Sequence, residues 1–150
     1  MSGADKQKEI FEFFNEIAII NQLATALFNQ RLPNGLHLSH FSVINHLMRM
    51  GDGQTPLHIS RAMQVTKATM THTLGVLEKH KFIEIKENPK DGRSKLVFLT
   101  LNGTQFMQKA VGSLAPLFEL LGRECDIDEL QEILPTLSKL RQVLDDNRDE

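Results

Sequence analysis

Apolar residues recur at steps of three and four through most of this chain, which is the spacing of one face of an α-helix. The pattern predicts six helices, most of them with a capping residue at the start. The first predicted helix is residues 5–31, and the second begins after the Ser39 cap. The third is residues 56–63, capped by Thr55, and the fourth runs from the Thr66 cap to about His80. The fifth begins at Leu101 after the Thr100 cap, and the sixth begins at residues 126–128. Pro116 and Pro135 fall inside the last two and should either kink or divide them.

The spacing changes to two in residues 82–87 and 95–99, which predicts a pair of β-strands. The intervening residues 88–93 are polar and turn-rich, so the strands should form a hairpin with a protruding loop. Two short helices joined by a tight turn and followed by such a hairpin form a winged helix-turn-helix. We therefore predict a mainly α fold with a two-stranded β wing, in which residues 36–100 are the winged helix-turn-helix DNA-binding domain.

The remaining residues, 1–35 and 101–150, are predicted to form a helical dimerisation region. Their long apolar stripes exceed what one winged helix can cover, so a second subunit should bury them; a monomeric helical cap is the alternative. A two-fold dimer would place two recognition helices about 34 Å apart, which predicts an inverted-repeat operator. The positions expected to face inward in the second, third and fourth helices are Phe41, Val43, Ile44, Leu47, Met48, Leu57, Ile59, Ala62, Met70, Thr73, Leu74 and Leu77.

Charge is unevenly distributed along the 150 residues, although the net charge is only −2. Residues 55–100 carry eight Lys/Arg against four Asp/Glu, whereas residues 101–150 carry five against ten. A basic segment of this kind is typical of a local contact with a polyanion, and a solvated surface is the alternative. One cysteine, 41% hydrophobic residues and no apolar run near the ~18 residues of a membrane span predict a cytoplasmic globular protein without a membrane contact.

The basic segment has the shape that DNA requires. A helix about 15 residues long fits the major groove, and no acidic residue precedes Glu78 in the fourth helix. Lys90 and Arg93 lie at the hairpin tip, and a slim loop that ends in arginine suits the minor groove. Taken singly these are ordinary surface groups, and Arg93 could form a local ion pair with Asp91. The outward side of the helix carries Lys67, Thr71, His72 and Lys79.

The wing sequence resembles a known signature. Asp91-Gly92-Arg93 followed by Leu99-Thr100-Leu101-Asn102-Gly103 is similar to the Asp-x-Arg and Leu-Thr-x-x-Gly of the MarR (multiple antibiotic resistance regulator) family. Residues 55–86 resemble the helix-turn-helix of that family, and the order of elements matches along nearly the whole chain. The resemblance implies a homodimeric transcription regulator, usually a repressor, that leaves its palindromic operator when a small aromatic or phenolic ligand binds.

The resemblance also implies roles for individual residues. Arg93 would enter the minor groove, and Asp91 would orient the wing. The candidate DNA-binding residues are Thr66, Lys67, Thr69, Thr71, His72, Lys86, Lys90 and Arg93. The ligand would lie between the dimerisation helices and the winged domain, and core or loop roles are the alternative for its candidate residues, which are Phe14, Asn21, His37, His40 and Met48.

The chain departs from the family pattern at four positions. His72 stands where arginine is frequent, so a DNA contact there would depend on pH. Gly75 replaces the usual acidic residue, and a glycine inside a helix costs about 1 kcal/mol relative to alanine. Gln64 and Lys81 stand where glycines are expected, so a left-handed backbone at either position would be strained.

Zinc-responsive and redox-responsive members of the family are alternatives to a ligand-responsive one. Cys125 lies far from the first helix, where some members sense oxidants, and it is expected to be a small buried hydrophobic residue. His37, His40 and His46 lack a His/Glu pair in residues 101–121 that could complete a zinc site. We therefore predict neither a metal nor a cofactor.

Enzymatic activity is not expected, because the sequence has no phosphate-binding glycine loop, no Gly-x-Ser-x-Gly and no His-Glu-x-x-His. The main rival is a winged helix that binds protein or RNA. The basic wing argues against a purely protein-binding surface. The absence of Tyr and Trp argues against stacking on RNA bases.

Overall fold

The computed structural model describes residues 1–149, which contain six α-helices and one two-stranded antiparallel sheet. This confirms the mainly α fold with a β wing that the apolar periodicity predicts. A short 3-10 turn, Pro33–Gly35, follows the first helix. The elements are α1 (Gly3–Arg31), α2 (Leu38–Met50), α3 (Pro56–Met63), α4 (Lys67–Lys79), β1 (Ile83–Glu87), β2 (Lys95–Leu99), α5 (Leu101–Glu124) and α6 (Ile127–Asp146).

Most helices begin at the predicted capping residue. Backbone N–H groups in the first turn of each helix donate to side-chain oxygens of Thr55, Thr66, Thr100 and Asp126. The predicted Ser39 cap is wrong, because α2 already begins at Leu38 and its cap is His37. There the backbone N–H of His37 donates to Nδ1 of His40 at 2.9 Å, so the imidazole of His40 takes the role that a Glu or Gln side chain has in a capping box.

The hydrophobic core lies among α2, α3, α4, the wing strands and the first half of α5. Three predicted core residues are exposed instead, and two of them are large: Met48 by 48% and Leu57 by 49%. Met48 follows the buried Leu47, and one residue turns a helix by about 100° away from the inward direction. Ala62 is exposed as well, because α3 directs only Ile59 and Ser60 inward. The central core residues are Leu36, Val43, Ile44, Leu47, Ile59, Met70, Leu74, Leu77, Ile83, Val97, Phe106 and Ala110.

The chain divides into two compact units, Met1–Leu114 and Ala115–Glu150. The division falls within α5, next to Pro116. Both α5 and α6 are assigned as single helices across their prolines, so neither Pro116 nor Pro135 divides a helix. The assignment of residues 1–35 and 101–150 to dimerisation stays a prediction.

Neither α1 nor α6 contains a buried residue. Large apolar side chains on both are open, among them Phe11 with 71% of its surface exposed and Leu144 with 57%. Cys125 is exposed too, so its predicted burial is wrong: it lies in the short junction between α5 and α6, outside any packed helix face. Within residues 1–149, no helix has the length and apolar character that crossing a membrane requires.

The strain expected at Gln64 and Lys81 is present, because both residues have positive φ, 55° and 61°. We expect Lys81→Gly to raise the free energy of unfolding by about 0.5–1 kcal/mol, since glycine adopts this conformation without a Cβ clash. Lys79→Gly, in the last turn of α4, is the matched control and should lower the free energy of unfolding by a similar amount. Urea titration of both variants measures the difference; equal effects of the two substitutions would contradict the strain at Lys81.

Candidate nucleic-acid interface

Helix α4 has a buried side and an exposed polar side. Its buried residues are Met70, Thr73, Leu74 and Leu77, the four that the periodicity predicts. The hydroxyl of Thr73 donates to the carbonyl oxygen of Thr69 at 3.0 Å, so the polar atom on this side has its partner within the helix. Because the buried side is fixed in the core, the opposite side is held in one orientation towards solvent.

The five predicted DNA-binding residues of α4 and its cap are all exposed. The hydroxyl of Thr66 donates to that of Thr69 at 2.9 Å, and the hydroxyl of Thr71 donates to the carbonyl oxygen of Lys67 at 2.9 Å. These bonds hold the first turn of the helix in place. The Lys67 ammonium and the helix N-terminus give this turn the positive potential that attracts phosphate oxygens. The five residues are Thr66, Lys67, Thr69, Thr71 and His72.

The wing loop is held by its own short polar side chains. Asn88 bridges the loop, because its amide donates to the hydroxyl of Ser94 at 2.9 Å while its oxygen accepts the backbone N–H of Lys90 at 3.0 Å. Asp91 Oδ1 accepts the backbone N–H of Arg93, also at 3.0 Å. This carboxylate therefore bonds to the backbone of Arg93, and the Arg93 side chain is exposed at the tip.

The lysines at the base of the wing have acidic neighbours. Lys86 Nζ lies 3.5 Å from a Glu84 carboxylate oxygen and 5.1 Å from the centre of the Phe98 ring. Lys95 forms an ion pair with Glu87. These pairs lower the positive potential at the base and leave it concentrated towards the tip. Lys86 stays a predicted DNA contact, but a phosphate would compete with Glu84 for its ammonium group.

The five candidate ligand residues lie on α1, on α2 and just before α2, and their environments differ. Phe14 is half-buried and His40 is buried, whereas Asn21, His37 and Met48 are exposed. A groove of about 550 Å³ lies elsewhere, between the end of α4, β1 and the start of α5. None of the five residues lines this groove.

The surroundings of His40 alter its titration. Burial lowers the pKa of its imidazole, and the charges of His37, His72 and His80 lower the pKa further. The His37 and His40 rings stack with their centres 5.9 Å apart. Since Nδ1 of His40 accepts the N–H of His37, protonation at that nitrogen would also break this cap.

His40 should therefore make the protein less stable in mild acid. Its pKa in the folded state lies below the value of about 6.5 for an unfolded chain, so the unfolded state binds the proton first as the pH falls. By linkage, stability is lost as the pH drops below about 6.5. Urea unfolding of wild type and His40→Gln at pH 7.5 and 5.5, at equal protein concentration, measures this loss. Glutamine can accept the same cap bond without titrating, so wild type should lose more stability; equal losses would contradict the assignment to His40.

Within residues 1–149, no group of three or more His, Cys, Asp or Glu side chains is arranged to hold a metal ion. A further feature was not predicted: the loop of residues 51–54 pairs with β2, so the wing is joined to the segment between α2 and α3. The sequence carries little signal for this contact, because its partners lie more than 40 positions apart.

Comparison with known proteins supports this geometry. A protein-family model described as the MarR family matches residues 34–94, which run from the turn before α2 through the wing loop. A search of curated proteins found no match.

Solved structures of transcription regulators match almost the whole fold. A mutant of MarR from E. coli in complex with operator DNA is 25% identical, with a TM-score of 0.73 over 88% of this chain and 95% of that one. The regulator BldR from Sulfolobus solfataricus is 24% identical, with a TM-score of 0.79 over 95% of this chain and 99% of that one. BpsR from Bordetella bronchiseptica, whose DNA binding is regulated by 6-hydroxynicotinic acid, is 21% identical, with a TM-score of 0.72 over 87% of this chain and 98% of that one.

Proposed function

The chain belongs to the MarR family of DNA-binding, non-enzymatic transcription regulators, and we propose that it acts as a homodimeric repressor on a palindromic operator. We further propose that a small aromatic or phenolic ligand releases the operator, and that the protein acts in the cytoplasm, where a bacterial or archaeal chromosome lies.

One observation carries the proposal: two separate elements expose the groups that a DNA duplex binds. Helix α4 presents Lys67 and His72 on its open side, and the wing presents Lys90 and Arg93 at its tip. Both elements hold these groups in fixed positions. The opposite side of α4 is buried in the core, and hydrogen bonds of Asn88 and Asp91 fix the conformation of the wing loop. This arrangement favours a recognition helix in the major groove and a wing in the minor groove.

The open apolar surface of α1 and α6 supports a homodimer. Ile20 and Leu23 of α1 are each 61% exposed, and Leu134 of α6 is 57% exposed. Burying such side chains contributes roughly 25 cal/mol per Å², and large exposed apolar patches in monomers mark interaction sites. A second copy of the chain is the partner that the family fold favours, and a two-fold axis would pair two α4 helices with two half-sites.

An organic effector is supported by the regulation of BpsR by 6-hydroxynicotinic acid, a small aromatic acid. We propose Phe14, Asn21, His37, His40 and Met48 as the residues that contact such a ligand in the dimer. A pocket for it would need walls that one chain does not provide, since these residues are largely exposed apart from Phe14 and His40.

In vitro selection from a pool of random duplexes tests the function without knowledge of the operator. We expect enrichment of an inverted repeat whose half-site centres are separated by one helical turn, about 10 base pairs, or a multiple of it. Light scattering of the complex should give two chains per duplex. Enrichment of no sequence, or of a single half-site bound by one chain, would contradict the proposal and favour a winged helix that binds protein or RNA.

A further inference from the structure

The outer edge of strand β2 is closed by the loop between α2 and α3. Val97 donates its N–H to the carbonyl oxygen of Gln54 at 2.9 Å, and its own carbonyl oxygen accepts the N–H of Gly53 at 2.9 Å. Gln54 and Val97 thus form an antiparallel bridge on the side of β2 that faces away from β1. The wing therefore has a third, very short strand that comes from the helix-turn-helix segment.

Asp52 extends this ladder with its side chain. Residues two apart in a strand point their N–H groups to the same edge, so Leu99 directs its N–H to the same side as Val97. Asp52 Oδ1 accepts that N–H at 2.8 Å, across 47 positions of sequence. A carboxylate oxygen here replaces the backbone carbonyl that a longer strand would provide, and a bond to a charged acceptor is stronger than a neutral one.

Gln54 ties the same loop to α2. Its amide nitrogen donates to the carbonyl oxygen of Gly51 at 2.8 Å, so its side-chain oxygen is the group that faces His46. Nε2 of His46, within α2, lies 2.8 Å from that oxygen and is the donor. The chain of bonds thus runs from α2 through His46, Gln54 and Val97 into the strand that carries the wing loop.

We propose that Asp52 and Gln54 are positioning residues for DNA binding, which hold the wing at a fixed place relative to the helix-turn-helix without contacting DNA themselves. This inference rests on the proposed function. Two elements that bind one duplex together must keep a fixed spacing, because each bond to DNA is lost if its donor is displaced.

A double-mutant cycle separates positioning from contact. Asp52→Asn and Asp52→Ala remove the same charge, but only asparagine keeps an oxygen that can accept the N–H of Leu99. We expect Asp52→Ala to bind the selected operator about three- to tenfold more weakly than Asp52→Asn, which is the size of effect that one hydrogen bond produces. In an Arg93→Ala background the difference between the two Asp52 variants should fall below twofold, since the wing contact that Asp52 positions is then absent.

A second readout concerns the free protein. Amide hydrogen exchange, followed by NMR, should show faster exchange of the Leu99 N–H in Asp52→Ala than in Asp52→Asn, while amides in the α4 core stay protected in both. If both Asp52 variants bind the operator equally while Arg93→Ala weakens binding, the inference is wrong and the proposed function stands. An Asp52 difference that persists in the Arg93→Ala background would also overturn it. Failure of the wild type to bind any duplex would overturn the proposed function and this inference together.

Discussion

Gly103→Ala should lower the free energy of unfolding by about 3 kcal/mol, because the added methyl group has no space. A Cβ at this position would collide with the carbonyl oxygen of Phe82 and come within 2.6 Å of Cδ1 of Leu99. The Leu99 side chain could move, but the Phe82 carbonyl is backbone and accepts the N–H of Thr100 at 3.1 Å. Relief of the collision therefore costs a hydrogen bond at the start of α5.

The same contact gives a physical reason for the Leu-Thr-x-x-Gly pattern. Thr100 donates its hydroxyl to the carbonyl oxygen of Lys81 at 2.7 Å and accepts the N–H of Gly103 at 3.1 Å. Thr100 thus caps α5 and also joins the start of α5 to Lys81, in the turn between α4 and β1. Glycine three residues later allows the helix to approach the backbone of Phe82.

Gly75→Ala is the matched control for Gly103→Ala, since nothing lies within 4 Å of a Cβ added at Gly75. Alanine there should raise the free energy of unfolding by about 1 kcal/mol, the difference in helix propensity. Urea titration of the two variants at equal protein concentration measures both effects. A Gly103→Ala protein as stable as wild type would show that α5 does not pack against Phe82 in this way.

Arg93→Ala should weaken binding to the operator at least tenfold. An arginine in the minor groove or on a phosphate is worth roughly 1–3 kcal/mol, and a homodimer would lose two such contacts. Each lost phosphate contact lowers the slope of log K against log salt by about 0.9, so the slope should fall by about 2 if both side chains contact phosphates. Fluorescence anisotropy over a salt series measures affinity and slope together.

Two further variants show whether the loss of operator affinity in Arg93→Ala arises from a contact that the wing makes with DNA. Arg93→Lys keeps the charge but not the planar guanidinium group, so it should recover the salt slope and only part of the affinity. Lys139→Ala removes a positive charge from the acidic helix α6 and should bind as wild type does. If Lys139→Ala weakens binding as much as Arg93→Ala, the effect comes from net charge, and the wing has no special role.

Most helices and both strands could be predicted from the sequence, because apolar spacing and capping residues depend only on neighbouring positions. The periodicity of α4 identified its four buried residues, since one face of an isolated helix is fixed by spacing alone. The family resemblance indicated strain at Gln64 and Lys81 if their backbones were left-handed, and both residues have positive φ. The candidate DNA-binding residues stay a prediction, which rests on the charge of residues 66–93, on the hairpin loop and on the family resemblance.

Contacts between distant segments were missed. The bond from Leu99 to Asp52 spans 47 residues, and nothing near Asp52 in the sequence indicates a role in the wing. Met48 and Cys125 were placed in the core because of their apolar character, yet Met48 lies beside the buried face of α2 and Cys125 lies in the junction between α5 and α6. The partner of Lys86 was also missed, although it is local: Glu84 lies two residues away on the same strand face, where strand alternation places it.

The central claim is sequence-specific DNA binding through α4 and the wing. Fluorescence anisotropy with duplex DNA from immediately upstream of the gene that encodes this chain, against a shuffled duplex of equal length, tests it most directly. At about 50 and 200 mM salt, we predict at least hundredfold tighter binding to the upstream duplex than to the shuffled one, with affinity for both falling steeply as salt rises. Equal binding to both duplexes, or affinity that does not change with salt, would contradict it.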